Sequence, residues 1–373
     1  MAKPPAPKRA DAHSANSSEA LTEEPAVANE AALVKESARS AKPGKPADTL
    51  EGIGETATLA RIFPRLPAAA SALLGPGDDA AVLAAPDGRY VVTTDMMIHG
   101  PDFRLAWSTP HDLGWKAAAS NLADVAAMGA VPTGLVVAIA APADTPVATL
   151  EGIADGLRDA CAQLAPDCGV VGGDLSVSPT LTIAVTAFGD LEGRAPVLRS
   201  GARNGDLVAV AGVLGRAAAA LTLLYTEAVD TRGIPDASLA ASLRDRTAAQ
   251  LAPTPPIASG PVAAVAGATA MLDLSDGLVI DAGRLAKASG VSIDFLRSAL
   301  GRDPASALAG GEDHSLLATF PPDGDIPRGF RLIGTCGSRP TAPDELITVD
   351  GEPYESIGSV GWDPYREWNG HQG

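Results

Sequence analysis

Carboxylates set beside glycines, hydroxyls and strand-like runs recur along this 373-residue chain, and hard oxygen donors of that kind suit divalent cations. The densest instance is Leu74-Gly75-Pro76-Gly77-Asp78-Asp79-Ala80-Ala81-Val82, an acid-tipped turn that runs straight into an apolar stretch. Thr93-Thr94-Asp95 follows, then Asn121 with Asp124, Gly172-Gly173-Asp174, and Asp273-Leu274-Ser275-Asp276. If these acids converge, two bare carboxylates about 4 Å apart repel by roughly 4 kcal/mol at an effective dielectric near 20, so several together demand metal. The chemistry expected is a magnesium–nucleotide site. Taken singly, each residue has a plainer use: Asp79 in a turn, Asp276 at a helix N-cap, Asp95 and Asp174 as polar strand ends, Thr93 and Thr94 as β-formers, Arg199 as a surface ion-pair partner.

The elements that must position these groups are visible as patterns. Apolar spacing predicts a helix near 58–63, and strands over 80–83 and 90–94, which would put Asp95 at a strand end. The clearest helix is expected over 112–129, with Pro and Asp ahead of it and Gly129 to close it, so that Asn121 and Asp124 share one face. A strand over 135–140, a helix over 148–164, a strand over 181–188 and a second set beginning with a strand at 207–210 follow. Residues 230–260 read as a looser, proline-dotted passage. Strand 268–272, an acidic turn at 275–277 and a helix over 278–289 restore the pattern, and a strand over 315–320 comes after Gly310-Gly311-Glu312-Asp313.

Composition narrows the possibilities. Residues 1–50 carry seven basic and seven acidic side chains, so the net charge of −17 falls on the remainder, a poor electrostatic partner for nucleic acid. An acidic protein still binds nucleotide where magnesium and a few arginines neutralise the phosphates. Three cysteines without zinc spacing suggest a reducing, cytoplasmic setting, and no apolar run is long enough to span a membrane. Residues 1–49 lack aromatic residues and any sustained apolar face, and are expected to form a disordered tail. Domains are expected at 50–196 and 197–373.

In order along the chain, GDDAAV (77–82), TTDMM (93–97), NLADVAAMGA (121–130), GGD (172–174), LRSGA (198–202), LDLSDGL (272–278), GGED (310–313) and GWD (361–363) resemble the thiamine-monophosphate kinase family, within the wider aminoimidazole ribonucleotide synthetase-like group. The likeness spans about 52–365. It implies an α/β (α+β), two-domain PurM-like architecture with mixed sheets, an N-terminal domain that dimerises through its sheet, and ATP with several magnesium ions in the cleft. By position it implies Asp79, Thr93, Thr94, Asp95, Asp124, Asp174, Asp273 and Asp276 as metal ligands. Gly173, Asp174, Arg199 and Ser275 become ATP contacts, and Asp102, Glu312 and Trp362 contacts to thiamine monophosphate. The implied reaction is in-line transfer of the γ-phosphoryl group to thiamine monophosphate, with no general base assigned, in a cytoplasmic homodimer.

The chain departs from the family pattern at three places. Asp102 stands where a histidine usually follows seven residues after the Asp95 position, with His99 three residues earlier. Leu175-Ser176-Val177 replaces the usual Thr-Thr-Arg after the GGD, and Ala252-Pro253-Thr254-Pro255-Pro256 replaces Arg-Pro-x-Pro-Arg. The rival readings are another ATP-dependent synthetase of the same group, and a catalytically weak nucleotide- or thiamine-phosphate-binding regulator.

Overall fold

A computed structural model describes residues 48–75, 81–342 and 345–354, which all fall in one compact unit. Residues 1–47 of the expected tail, Asp79 and Trp362 lie outside the described residues, whereas Thr49, the last residue of that tail, is buried and accepts from the Gly52 N–H. In the first half, helices α1 (Leu50–Ile53) and α2 (Glu55–Ile62) precede strands β1 (Ala72–Leu74), β2 (Val82–Leu83) and β3 (Val91–Ile98). Then come α3 (Pro110–Ala127), β4 (Val131–Ala141), α4 (Val147–Leu164), β5 (Val170–Val177) and β6 (Thr182–Asp190). The second half holds β7 (Leu207–Ala211), α5 (Arg216–Glu227), α6 (Ala237–Ser242), α7 (Arg244–Leu251), α8 (Ser259–Val265) and β8 (Ala270–Leu274). It continues through α9 (Leu278–Ser289), β9 (Ser292–Phe295), α10 (Pro304–Ala309), β10 (Ser315–Phe320), β11 (Phe330–Gly337), β12 (Ile347–Val349) and β13 (Glu352–Pro353).

Two mixed sheets result. One has the order β3-β6-β4-β5, with β4 and β5 parallel and the other pairs antiparallel. The other has the order β13-β12-β9-β11-β7-β10-β8, with β12 and β9 its parallel pair. Helix α3 is the piece between them. Thr109 and Asp112 form a reciprocal capping box at its start, and Pro110 occupies the first turn, where its missing N–H costs nothing. Nearly all of α3 is buried, which its alanines permit: the backbone can approach its neighbours on every side. Against α4 the approach is closer still, because a Cβ on Gly114 would sit 2.0 Å from the carbonyl oxygen of Ile153 and one on Gly156 2.0 Å from that of His111. Leu113, Leu122 and Val125 share one apolar cluster with Met271, Leu316 and Phe320 of the larger sheet. The opposite face of that sheet, with Leu272, Leu274 and Leu317, packs on Leu278, Ala282 and Leu285 of α9. Strand alternation therefore turns Met271 and Asp273 toward α3 and Leu272 and Leu274 away from it.

Four sequence expectations are corrected. Strand β3 continues to Ile98, so Asp95 lies in mid-strand, paired with Val185 of β6, because Met96 to Ile98 also complete a β ladder. The GGD stretch lies within β5, so Asp174 is in mid-strand rather than at a strand end: β4 supplies parallel partners through Val177. Strand β8 reaches Leu274, two residues past the expected end, so Asp273 is held by pairing with Leu316. Residues 230–260 contain α6, α7 and the start of α8 rather than a loose passage; Asp236 caps α6 by accepting from the N–H groups of Ser238 and Leu239.

Candidate functional site

The acids meet where β3, α3 and β8 adjoin. Alternation along β3 sends Thr93 and Asp95 to the face covered by α3, and there Thr93 Oγ1 donates to Asp124 Oδ2 at 2.9 Å. Asn121, one turn earlier on α3, accepts from the Asp95 backbone N–H at 3.1 Å and donates to the Ala117 carbonyl at 2.9 Å. It thus fastens strand to helix. Burial, reinforced by the charges of Asp273 and Asp95, pushes Asp124 up to about 7. Burial also raises Asp95, and Asp273 adds to that push. From β8, Asp273 pairs through Oδ2 with His314 Nδ1 at 3.1 Å; although burial works against charging the imidazole, this partner holds His314 above its ordinary value.

The turn after β8 is built around Asp281. Its Oδ2 accepts from the backbone N–H groups of Asp276 and Gly277 at 2.9 and 3.1 Å, and burial raises it to about 6. Arg284 Nη1 bridges Asp276 at 2.6 Å and Asp281 at 2.7 Å. Gly277, not Asp276, is the N-cap of α9.

Beside these acids opens a cavity of about 790 Å³, lined by Asp95, Asp102, Lys116, Ser275, Asp276 and Glu312 among others. That volume lies in the range of sites for drug-sized ligands. One wall is aromatic: the Arg104 guanidinium lies 5.4 Å from the Trp107 ring centroid and 5.7 Å from that of Tyr225. Asp102 turns its Oδ2 back to the Ile98 N–H at 2.7 Å, so the residue in the usual histidine position also closes its own loop. Glu312 is held by Lys116 Nζ at 2.6 Å and by Gln250 Nε2. Burial tends to raise Glu312, but Lys116 and Gln250 together outweigh it and keep the carboxyl below its ordinary value. Glu312 and His314 both have positive φ, 64° and 49°, so the loop between α10 and β10 is strained at the residues that face this cavity.

Other expected site residues stand apart. Thr94 points to the opposite face of β3, where its Oγ1 donates to the Val185 carbonyl at 2.9 Å. Gly173 and Asp174 are on the edge strand β5 and line a separate, mainly apolar cavity of about 620 Å³ with Leu59, Phe63 and Leu157. Arg199 is exposed at the entry to the second half.

Among the described residues, no three His, Cys, Asp or Glu side chains gather tightly enough to hold an ion by themselves. Magnesium rarely needs such a cage: it keeps waters and binds through one or two carboxylates plus substrate phosphates. The oxygen donors of Thr93, Asp95, Asp124 and Asp273, with Asp124 driven toward protonation by burial and by the nearby carboxylates, fit that mode of binding.

Sequence reasoning passed over Lys116, Gln250 and His314. A lysine in the alanine-rich run of α3 was the available signal, since lysine is almost never buried unless paired.

Residues 77–191 match the family described as AIR synthase related protein, N-terminal domain. The chain is 44% identical over 334 residues to the thiamine-monophosphate kinase of Mycobacterium tuberculosis (strain CDC 1551 / Oshkosh), covering 86% of this chain and 94% of the relative. Among solved structures, the thiamine-monophosphate kinase from Stenotrophomonas maltophilia K279a aligns with TM-score 0.64 and 31% identity, over 80% of this chain and 96% of that one. AaThiL complexed with AMPPCP and TMP aligns with TM-score 0.61 and 32% identity, over 76% and 90% of the two chains.

Proposed function

The chain belongs to the thiamine-monophosphate kinase family, and from that premise we propose that the cavity beside β3, α3 and β8 performs ATP-dependent phosphorylation of thiamine monophosphate to thiamine diphosphate. The observation that carries the reading is the meeting of Asp95, Asp124 and Asp273, drawn from two sheets and the helix between them, at the edge of a ligand-sized cavity. Magnesium, when bound with the nucleotide, supplies charge neutralisation for the phosphates. Asp95, Asp124 and Asp273 would hold it, with Asp79, which lies outside the described residues, Thr93 keeping Asp124 in place and Asp276 at the cavity wall.

The acceptor is already a phosphate anion, so its oxygen needs no general base; what the chain must provide is alignment and positive charge. Ser275 and Asp276 offer the turn against which phosphates lie, kept in shape by Asp281. Glu312 and Asp102 serve the thiamine end, joined by Trp362 beyond the described residues.

Gly173, Asp174 and Arg199 complete the nucleotide site in this reading, but Asp174 is on the far edge strand, three places from β3. It reaches the nucleotide from the second protomer of a homodimer. The open face of the smaller sheet supports such a dimer: Val92 and Met96 are 57% and 58% exposed there. Thr94, on the same face, contributes through its backbone or across that contact. In this reading the boundary between the two domains falls near residue 196, in the stretch between β6 and β7. A cytoplasmic setting is supported by three free, buried cysteines, and among the described residues no helix is long and apolar enough to cross a membrane.

The test is product identity: purified protein with magnesium, ATP and thiamine monophosphate, followed chromatographically. Thiamine diphosphate formed in step with ADP is the expected result. ADP release without thiamine diphosphate would sink the assignment.

A further inference from the structure

Lys116 is an odd residue for its position. Its side chain is only 9% exposed, on the most deeply buried helix, yet it lines the cavity. An ammonium has three protons to donate. Among the described residues one hydrogen-bond partner is found, Glu312 Oε1 at 2.6 Å. The other Glu312 oxygen is taken by Gln250 Nε2, which fixes the carboxylate in place from α7. Gln250 is itself 5% exposed, and its Oε1 has no partner among the described residues. A buried acceptor left unmet costs about 1–3 kcal/mol, and a ligand bearing an N–H group would relieve that cost.

The cavity therefore presents a fixed cation and a fixed anion side by side, with a spare donor and a spare acceptor flanking them. Along α3, Lys116, Ser120 and Asp124 follow at four-residue intervals on one stripe, so the cation and the acid cluster face the same side of the helix. A ligand complementary to this arrangement carries opposite charges a few bonds apart and at least one amino group. Thiamine monophosphate has that make-up, with a cationic thiazolium, a phosphate on a two-carbon arm and an aminopyrimidine. Resting on the kinase reading above, we propose that Lys116 binds the phosphate of the acceptor while retaining Glu312. It thereby distinguishes the phosphorylated vitamin from thiamine itself and delivers the acceptor oxygen toward the metal-bound nucleotide. Glu312, kept ionised and immobile by Lys116 and Gln250, faces the thiazolium.

The experiment compares wild type, Lys116→Met, Lys116→Arg and the charge-neutral double variant Lys116→Met/Glu312→Gln in steady-state turnover. Unphosphorylated thiamine serves as competitor, and thermal denaturation confirms folding. Lys116→Met is expected to raise KM for thiamine monophosphate at least about 10-fold, worth 1.4 kcal/mol, while the KM for ATP stays within about twofold. Thiamine should compete only weakly in wild type and rival the monophosphate in that variant, and Lys116→Arg should restore most of the discrimination. The double variant separates loss of phosphate binding from the harm of stranding Glu312: it should fold like wild type and still fail to discriminate. A Lys116→Met or double variant that keeps the wild-type preference for the monophosphate overturns the proposal, as does an equal loss for both substrates. Absence of thiamine diphosphate from the wild-type reaction would instead condemn the kinase reading, so the two failures are told apart.

Discussion

Asp124 carries the most conflicted charge in the described site. Burial and two neighbouring carboxylates hold its folded-state value near 7, against about 3.9 in an unfolded chain. The native state therefore binds more protons than the unfolded state between these values, and metal-free protein loses stability as pH rises from about 4 to about 7. The loss attributable to this residue is at most about 4 kcal/mol. Asp124→Asn removes it, so the variant should be more stable than wild type at pH 8 without metal, and the difference should vanish near pH 4; denaturant titrations at the two pH values measure this. Magnesium competes with the proton, so its stabilisation of wild type should be larger at pH 8 than at pH 5.5. The same substitution should lower kcat by at least about 100-fold while leaving the circular dichroism spectrum unchanged. A variant turning over at the wild-type rate would mean that Asp124 does not bear on the reaction.

At the scale of elements, α3 decides the site, because it brings Asn121 and Asp124 against β3 and lies under β8. Its placement depends on backbone contact with α4, where no side chain fits. Gly114→Ala would drive a Cβ into the Ile153 carbonyl, and the expected cost is about 2–4 kcal/mol in denaturant unfolding, with reduced turnover as α3 shifts. Much of this layer could be read in advance. The capping signal before α3, the shared face of Asn121 and Asp124 and the helix after the acidic turn are local patterns, set by periods of 3.6 and 2 that a sequence displays directly. What could not be read is pairing at a distance. Asp95 and Asp273 looked like residues at strand ends because the runs that name a strand stop near them; Val185 and Leu316, far along the chain, extend the ladders past them. Lys116 was passed over for the same reason, since its meaning comes from Glu312, 196 residues away. Short helices at 237–265 escaped notice because their apolar faces are brief and interrupted by prolines.

At the scale of the molecule, α3 packs on one face of the smaller sheet, and among the described residues the other face shows exposed Val92 and Met96. Such a face would suit the homodimer proposed above. Wild type should sediment as a homodimer, and Val92→Asp should shift it toward monomer with loss of activity, because the proposed nucleotide site takes Asp174 from the opposite protomer. An active monomer would place the nucleotide site wholly within one chain. The eight motifs foretold the overall architecture through family likeness. Residue types alone would have left the acids scattered, for nothing in their spacing says that β3 and β8 adjoin.

In the proposed site, acids from both sheets grip one metal-bound nucleotide. Calorimetric titration of a non-hydrolysable ATP analogue, with and without magnesium, into wild type, Asp124→Asn and Asp273→Asn puts it to the test. Binding should require magnesium and weaken at least about 10-fold, or 1.4 kcal/mol, in each variant. Affinity unchanged by removing magnesium, or by substituting Asp273 on the larger sheet, would contradict the account.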